Sequence, residues 1–333
     1  MGYSKEIYQA AEQALVRRRS EAQAEAEMRR FEFFSRCPQA EEIERRLSAT
    51  AINAAKIVWK QGGDVQSALK DLRESNRSLE QELDALLRKE HMTPEDLQPK
   101  YSCSLCDDTG YRDGKPCDCL LKQLRTEACR KLNDTTPLGL STFETFDLDY
   151  YPDTPGENGK NPRKHMERVF KFCKEYAENF SLKSPSLLFL GGTGLSKTHL
   201  SLAIANVVLQ KGFGVVYDSV HNLMTALEKE RFSRETTEDD TNQILLTCDL
   251  LILDDLGTEF RTQFTTAAVY NLVNTRLMAG RPTIISTNLS TEEMEQYYTR
   301  RFVSRVNSSY TRLPFYGRDI RQLKARERYK LPE

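Results

Sequence analysis

Long apolar runs are missing from this 333-residue chain. The richest apolar stretches, Leu187–Leu190 and Leu250–Leu253, fall far short of the roughly 20 residues that a membrane-spanning helix needs. Mean hydropathy is −0.60, and no membrane partner is expected. The N-terminus, MGYSKEIYQA, lacks an apolar core behind a basic start, so no secretory signal is read and a cytoplasmic location is expected. Charge of one sign is missing too. Lys and Arg total 48 against 49 Asp and Glu, so net charge argues neither for nor against a nucleic-acid partner. No internal repeat is visible. A chain of this length buries roughly three quarters of its unfolded surface and needs no disulfide staples.

Charge is nonetheless unevenly distributed. Arg300–Glu333 holds ten basic and three acidic residues. Such a basic end can meet phosphates, although solvated helix faces give the same pattern. Of eight cysteines, four lie between Cys103 and Cys119. Without a secretory signal, this clustering favours metal over disulfides.

Length suggests two or three domains, and the composition divides into residues 1–98, 99–132 and 133–333. The first segment, rich in Ala, Glu, Arg, Leu and Gln, predicts three helices: Lys5–Phe34, stopping before Cys37-Pro38; Ala40–Gln61, ended by Gly62-Gly63; and one capped by Asp64 that runs to Lys89. The third carries Val65, Leu69, Leu72, Asn76, Leu79, Leu83 and Leu86 at alternating spacings of four and three, an a/d seam with one polar position. That seam can close a helical bundle or receive a partner helix. Thr93-Pro94-Glu95-Asp96 reads as a capped short helix.

The second segment holds Cys103, Cys106, Cys117 and Cys119, two close pairs across a turn with Gly110 and Gly114. Four thiolates so spaced can surround one tetrahedral ion, and zinc in a structural role is expected. Free thiols or a two-cysteine redox motif are the alternatives. Cys37, Cys129, Cys173 and Cys248 are isolated and read as buried thiols.

In the third segment, strands are expected near Ser186–Leu190, Gly214–Asp218, Leu250–Asp254, Thr283–Thr287 and Thr311–Phe315. Helices are expected near 197–211, 220–233, 263–279 and 291–308. Alternation of this kind gives an α/β fold with a parallel sheet covered on both faces. Asp153–Pro162 reads as a turn-rich surface loop.

After the first of these strands comes Gly191-Gly192-Thr193-Gly194-Leu195-Ser196-Lys197-Thr198, then a helix starting at His199. This is the phosphate-loop pattern with Ser196 in place of its last glycine. Backbone N–H groups of such a loop cradle phosphates, Lys197 would neutralise them, and the Thr198 hydroxyl would bind Mg²⁺. Ser196 must accept backbone angles that glycine takes freely, so reduced or slower nucleotide use is expected. The strand Leu250–Asp254 ends in paired carboxylates, a Walker B pattern. Asp254 would hold Mg²⁺ and Asp255 would orient and deprotonate the attacking water. Asn288, at the tip of the strand Thr283–Thr287, is a candidate γ-phosphate sensor, or a helix cap beside the capping box of Ser290 and Glu293.

These residues resemble the AAA+ helicase-loader family of the DnaC and DnaI type, and its relative, the IstB transposition helpers. The likeness spans about Thr142–Arg321 and rests on Lys197–Leu200, Leu253–Gly257, Thr287–Leu289 and Arg301–Arg305, with Thr142–Phe146 similar to the stretch that precedes the family's core near the adenine. It implies an AAA+ core whose Arg305 is an arginine finger entering a neighbouring subunit's site, and whose Arg321 is a sensor-2 phosphate contact. For either arginine a surface ion pair is the alternative. The few residues after Arg321 leave no room for a helical lid. The cysteine module and helical N-terminus resemble DnaI-type loaders. That likeness implies a chain whose N-terminal part grips a hexameric replicative helicase. Its core would bind ATP and single-stranded DNA, self-associate and hydrolyse ATP at subunit interfaces. Lys229, Arg231 and Arg234 are candidates for the strand, or a solvated face. The rivals are a transposition helper acting on duplex DNA, and a nucleotide-gated adaptor that barely hydrolyses.

Overall fold

The computed structural model describes residues 3–50, 54, 65–133, 141–155, 159, 161–232 and 241–328. The chain folds as two units, Glu12–Leu120 and Met1–Ala11 with Leu121–Glu333.

The smaller unit is helical. α1 (Lys5–Arg36), α2 (Pro38–Ser48) and α3 (Val65–Lys89) stand where the three helices are expected, except that α2 starts two residues earlier and closes at Ser48. Proline at a first helical turn loses no hydrogen bond, so Pro38 begins the helix rather than preceding it. Residues 55–64, and with them the expected glycine stop and aspartate cap, lie outside the described residues. Phe33, Ala40, Leu87 and Leu97 form a buried cluster, with Leu83 and Leu86 of the α3 seam packed against it. The seam's polar position is also met inside the chain, where Thr50 Oγ1 donates to Asn76 Oδ1 at 2.9 Å. Cys37 is half-buried; Cys129, Cys173 and Cys248 are buried as expected. Beyond α3, Asp96 accepts bonds from Thr93 N and Oγ1, both 3.0 Å, and fixes a 3₁₀ turn, Pro94–Leu97. A hairpin of β1 (Tyr111–Arg112) and β2 (Lys115–Pro116) precedes α4 (Asp118–Leu132).

The larger unit is built on a parallel sheet, in the order β4 (Val215–Ser219), β5 (Leu250–Leu256), β6 (Thr283–Thr287), β3 (Leu187–Leu190), β7 (Thr311–Pro314) among the described residues. Strands β3 to β6 are almost wholly buried, which is why each reads as an apolar run rather than an alternation. Around them lie α5 (Pro162–Glu178), α6 (Lys197–Gln210), α7 (Val220–Phe232), α8 (Thr241–Thr247), α9 (Gln263–Met278), α10 (Thr291–Tyr297), α11 (Arg300–Ser309) and α12 (Ile320–Arg328). The single helix expected over 291–308 is two. Thr299 adopts extended angles and its side chain accepts from Phe302 N, so it ends one helix and caps the next. Likewise Asn161 caps α5 through Lys164 N, so the expected loop from Asp153 stops there.

Two side chains do backbone work in this unit. Asn133 pairs with β4, its amide donating to Val215 O (2.6 Å) and accepting from Tyr217 N (3.0 Å), as a neighbouring strand would. Arg276, fully buried on α9, donates to Leu245 O, Cys248 O, Pro282 O and Thr283 Oγ1 at 2.7–3.0 Å. It ties together the entry ends of β5 and β6, the two strands whose far ends carry Asp254, Asp255 and Asn288.

Candidate functional site

The strand order decides what meets what. β6 lies between β3 and β5, so Asn288 sits between the loop after β3 and the carboxylates ending β5. The loop itself is shaped by its glycines. A β-carbon on Gly191 (φ +150°) would lie 2.6 Å from Phe315 O, and one on Gly194 (φ +71°) would lie 2.0 Å from Asp319 Oδ1. A side chain at Gly191 would run into backbone, and one at Gly194 would displace Asp319. Ser196, where the pattern has its last glycine, is also left-handed, at φ 64° and ψ 24°. Here the serine accepts the glycine conformation, at a cost of about 1–2 kcal/mol.

That cost sets a prediction. Ser196→Gly relieves the strain but gains about 0.4–1 kcal/mol of unfolded-state freedom, so net stability should rise by about 0–1.6 kcal/mol. Ser196→Val, a β-branched residue forced left-handed, should lose about 2 kcal/mol. Urea unfolding of the two variants checks both.

Lys197 opens α6 and is buried, its ammonium donating to Gly191 O (2.6 Å), Gly192 O (2.7 Å) and Asn288 Oδ1. Burial lowers its pKa, while Asp255 and Asp254 pull it back up. Thr198 Oγ1 donates to Asp254 Oδ2 at 2.8 Å, linking the loop to β5. Asp254 is buried and also accepts from Tyr217 OH (Oδ2, 2.7 Å) and Ser286 Oγ (Oδ1).

Asp255 stands apart from its neighbour because β5 is irregular at this point. Leu253 pairs with Ile285 and Leu256 with Thr287, so Asp254 and Asp255 together face Ser286 alone. Asp255 takes a left-handed angle (φ 53°), and its N–H donates to Ser286 Oγ at 2.9 Å. A bulge of this kind re-aims a side chain. Asp254 points down among hydroxyls, and Asp255 lines a cavity of about 250 Å³. Burial raises the Asp255 pKa, with Asp254 adding to the rise and Lys197 and Arg321 opposing it.

The cavity wall is otherwise Thr193 to His199, Asn288, Arg321 and Lys324, with Ser141 and Ile320. Arg321 reaches it because α12 starts against the loop: Ile320 N donates to Gly194 O (3.0 Å), and Asp319 Oδ1 accepts from Arg321 N (2.9 Å). His199 faces the segment before the core, with Nε2 2.8 Å from Thr142 O and its ring edge-on to Phe146. Gly191 and Gly192 do not line the cavity but supply the carbonyls that hold Lys197. Arg305 is not brought to it either. It is exposed on α11, its guanidinium 5.9 Å from the Tyr270 ring centre. Arg231, on α7, stacks over Phe264 away from the cavity, and Arg234 lies outside the described residues. Sequence reasoning does not single out Tyr217, Ser286 or Lys324. Position at the end of a strand next to β5 or β6 is the available signal for the first two.

In the smaller unit the four cysteine sulfurs lie within 4.8 Å of one another, with Cys103–Cys117 at 3.8 Å and Cys106–Cys119 at 3.4 Å. A tetrahedral zinc with bonds of about 2.3 Å needs sulfurs about 3.8 Å apart, so this donor set fits that ion, and the tight Cys117–Cys119 gap is no obstacle. Asp108 underpins the cluster. Its buried carboxylate accepts from Ser102 N (2.7 Å), Cys103 N (3.0 Å) and Arg18 Nη2 (2.6 Å).

The model of the IstB-like ATP binding protein family matches residues 175–304, which hold the phosphate loop, Asp254, Asp255 and Asn288. The replicative helicase loader DnaC of Escherichia coli (strain K12) is 29% identical over 134 residues, 40% of this chain and 55% of that one. DnaC of Buchnera aphidicola subsp. Baizongia pistaciae is 27% identical over 186 residues, 55% of this chain and 75% of its own length. A crystal structure of the DnaC helicase loader, 20% identical, overlays with a TM-score of 0.45 and covers 54% of this chain and 99% of that one. This chain thus spans about half the length of the Escherichia coli relative. Among the described residues no helix is long and apolar enough to cross a membrane. With a phosphate loop, a Walker B strand and an interposed Asn288 on one parallel sheet, the chain is similar over this part to the IstB-like ATP binding protein family and to DnaC-type helicase loaders.

Proposed function

We propose that this protein is an ATP-dependent loader of a replicative DNA helicase. The observation that carries the reading is the convergence of Lys197, Thr198, Asp255 and Asn288 on one cavity, with Asp254 directly beneath, in a chain related to DnaC. ATP phosphates would enter between Gly194 and Lys197. Lys197 would exchange the carbonyls of Gly191 and Gly192 for phosphate oxygens, and Asn288, already bonded to it, would follow the γ-phosphate. Thr198 and Asp254 would hold Mg²⁺, which supplies charge neutralisation at the β- and γ-phosphates. Asp255 would orient water and take its proton, a role suited to a carboxyl whose pKa burial has raised. Arg321 would contact phosphate from α12, and Arg305, remote from its own cavity, would serve a neighbouring copy.

Residues 133–333 would form this ATPase domain, residues 99–132 a zinc module with Cys103, Cys106, Cys117 and Cys119 as ligands, and residues 1–98 the part that binds the hexameric helicase. Single-stranded DNA would be the nucleic-acid partner. The IstB-like match lies within the nucleotide-binding part that a transposition helper would share. Retention of a replicative helicase on immobilised protein, with tighter binding to a single-stranded than to a duplex oligonucleotide, is the expected result. Preference for duplex with no helicase retained would instead support the transposition helper.

A further inference from the structure

An Asp carboxylate has about four acceptor positions on its two oxygens. Three on Asp254 are filled by hydroxyls from three different elements. Thr198 of α6 and Tyr217 of β4 share Oδ2, and Ser286 of β6 takes Oδ1. Thr198 is the expected Mg²⁺ ligand and Ser286 is engaged by the bulge, since it also accepts from Asp255 N. Tyr217 alone has no part in the proposed hydrolysis. Its ring is buried, its hydroxyl is 2.7 Å from Asp254, and its backbone N–H is held by Asn133 Oδ1. Parallel pairing puts Ser219 opposite Asp254, so Tyr217 reaches forward along the sheet to touch the carboxylate.

We propose that Tyr217 is a positioning residue that fixes the Asp254 carboxylate for Mg²⁺, an inference that rests on the nucleotide-binding reading. With Tyr217 on Oδ2 the carboxylate cannot rotate without breaking a buried hydrogen bond. Oδ1 then keeps one acceptor position for the ion or for water on it. The preorganisation comes from β4, the edge strand among the described residues, whose outer side is bonded by Asn133 at Val215 and Tyr217. Partners that orient a metal ligand in this way typically contribute 10–100-fold in metal affinity or activity.

The test is an Mg²⁺ titration of a fluorescent ADP analogue bound to the full chain, compared between the parent and Tyr217→Phe. The variant keeps the ring and loses only the hydroxyl. The Mg²⁺ concentration for half-maximal tight binding should rise about tenfold, with nucleotide affinity in EDTA nearly unchanged. In an Asp254→Asn background, Tyr217→Phe should add no further shift, because the two act through one carboxylate. An unchanged Mg²⁺ dependence overturns the proposal, and so does an equal loss with and without Mg²⁺, since a merely structural tyrosine would weaken both. If the parent binds nucleotide without regard to Mg²⁺, the metal role of Thr198 and Asp254 fails first, and that of Tyr217 with it. Parent protein that responds to Mg²⁺ beside an unresponsive difference in the variant removes Tyr217 alone.

Discussion

Arg305→Ala should lower ATP turnover about a thousandfold while leaving ATP affinity unchanged, as expected for an arginine finger supplied to another subunit. The residue is exposed on α11 and rests over Tyr270, outside the wall of its own nucleotide cavity. Its loss therefore removes nothing from that cavity. On the proposed reading, this long cationic side chain would stabilise transition-state charge in the site of a second copy. Mixing supplies the decisive arm of the experiment. Arg305→Ala chains keep an intact phosphate loop, and Lys197→Ala chains keep an intact Arg305. Equal amounts of the two, each inactive alone, should recover part of the parent rate, because some interfaces pair a good loop with a good arginine. Recovery that never rises above the sum of the separate variants would sink the trans assignment. A fall in ATP affinity on Arg305→Ala would do the same.

Lys197→Ala should weaken ATP binding about a hundredfold, the equivalent of about 3 kcal/mol, as for truncating one partner of a buried charge pair. The lysine is buried without phosphate, satisfied by two loop carbonyls and Asn288. Burial lowers its pKa and Asp255 and Asp254 oppose that fall, while its amine is already held in place by the loop. Folding stability should change little on the substitution. The carbonyls of Gly191 and Gly192 belong to exposed or half-buried loop positions, where water can replace the lost donor. Equilibrium binding of labelled ATP, read beside a urea unfolding curve, separates the two quantities.

Much of the larger unit is legible in the sequence because its physics is local. A parallel strand buried on both faces must be an apolar run bounded by turns, and each of the five expected strands agrees with the structure to within a residue or two. The phosphate loop and the paired aspartates are legible for the same reason: strand, turn and helix follow one another directly. What needs coordinates is whatever depends on neighbours far away in sequence. The bulge at Asp254–Asp255 arises from pairing with Ser286, some 30 residues on, and nothing in the strand's own composition signals it. That Ser196 takes the glycine angles becomes visible only in the folded loop, where Gly191 meets Phe315 and Gly194 meets Asp319. Tyr217 reads as one more core aromatic until its hydroxyl is placed on Asp254. Helix α5 is absent from the sequence reading although its buried face of Met166, Val169, Cys173 and Tyr176 has helical spacing. The cysteine spacing, by contrast, is sufficient to bring four sulfurs together without any knowledge of the helices beside them.

The most direct test of a loader ATPase is steady-state ATP turnover by the purified chain, with and without single-stranded DNA, beside Lys197→Ala. Turnover that rises with single strands and disappears in the variant is the predicted result. ATP binding by the parent with no turnover in either protein would contradict it, and would leave a nucleotide-gated adaptor in its place.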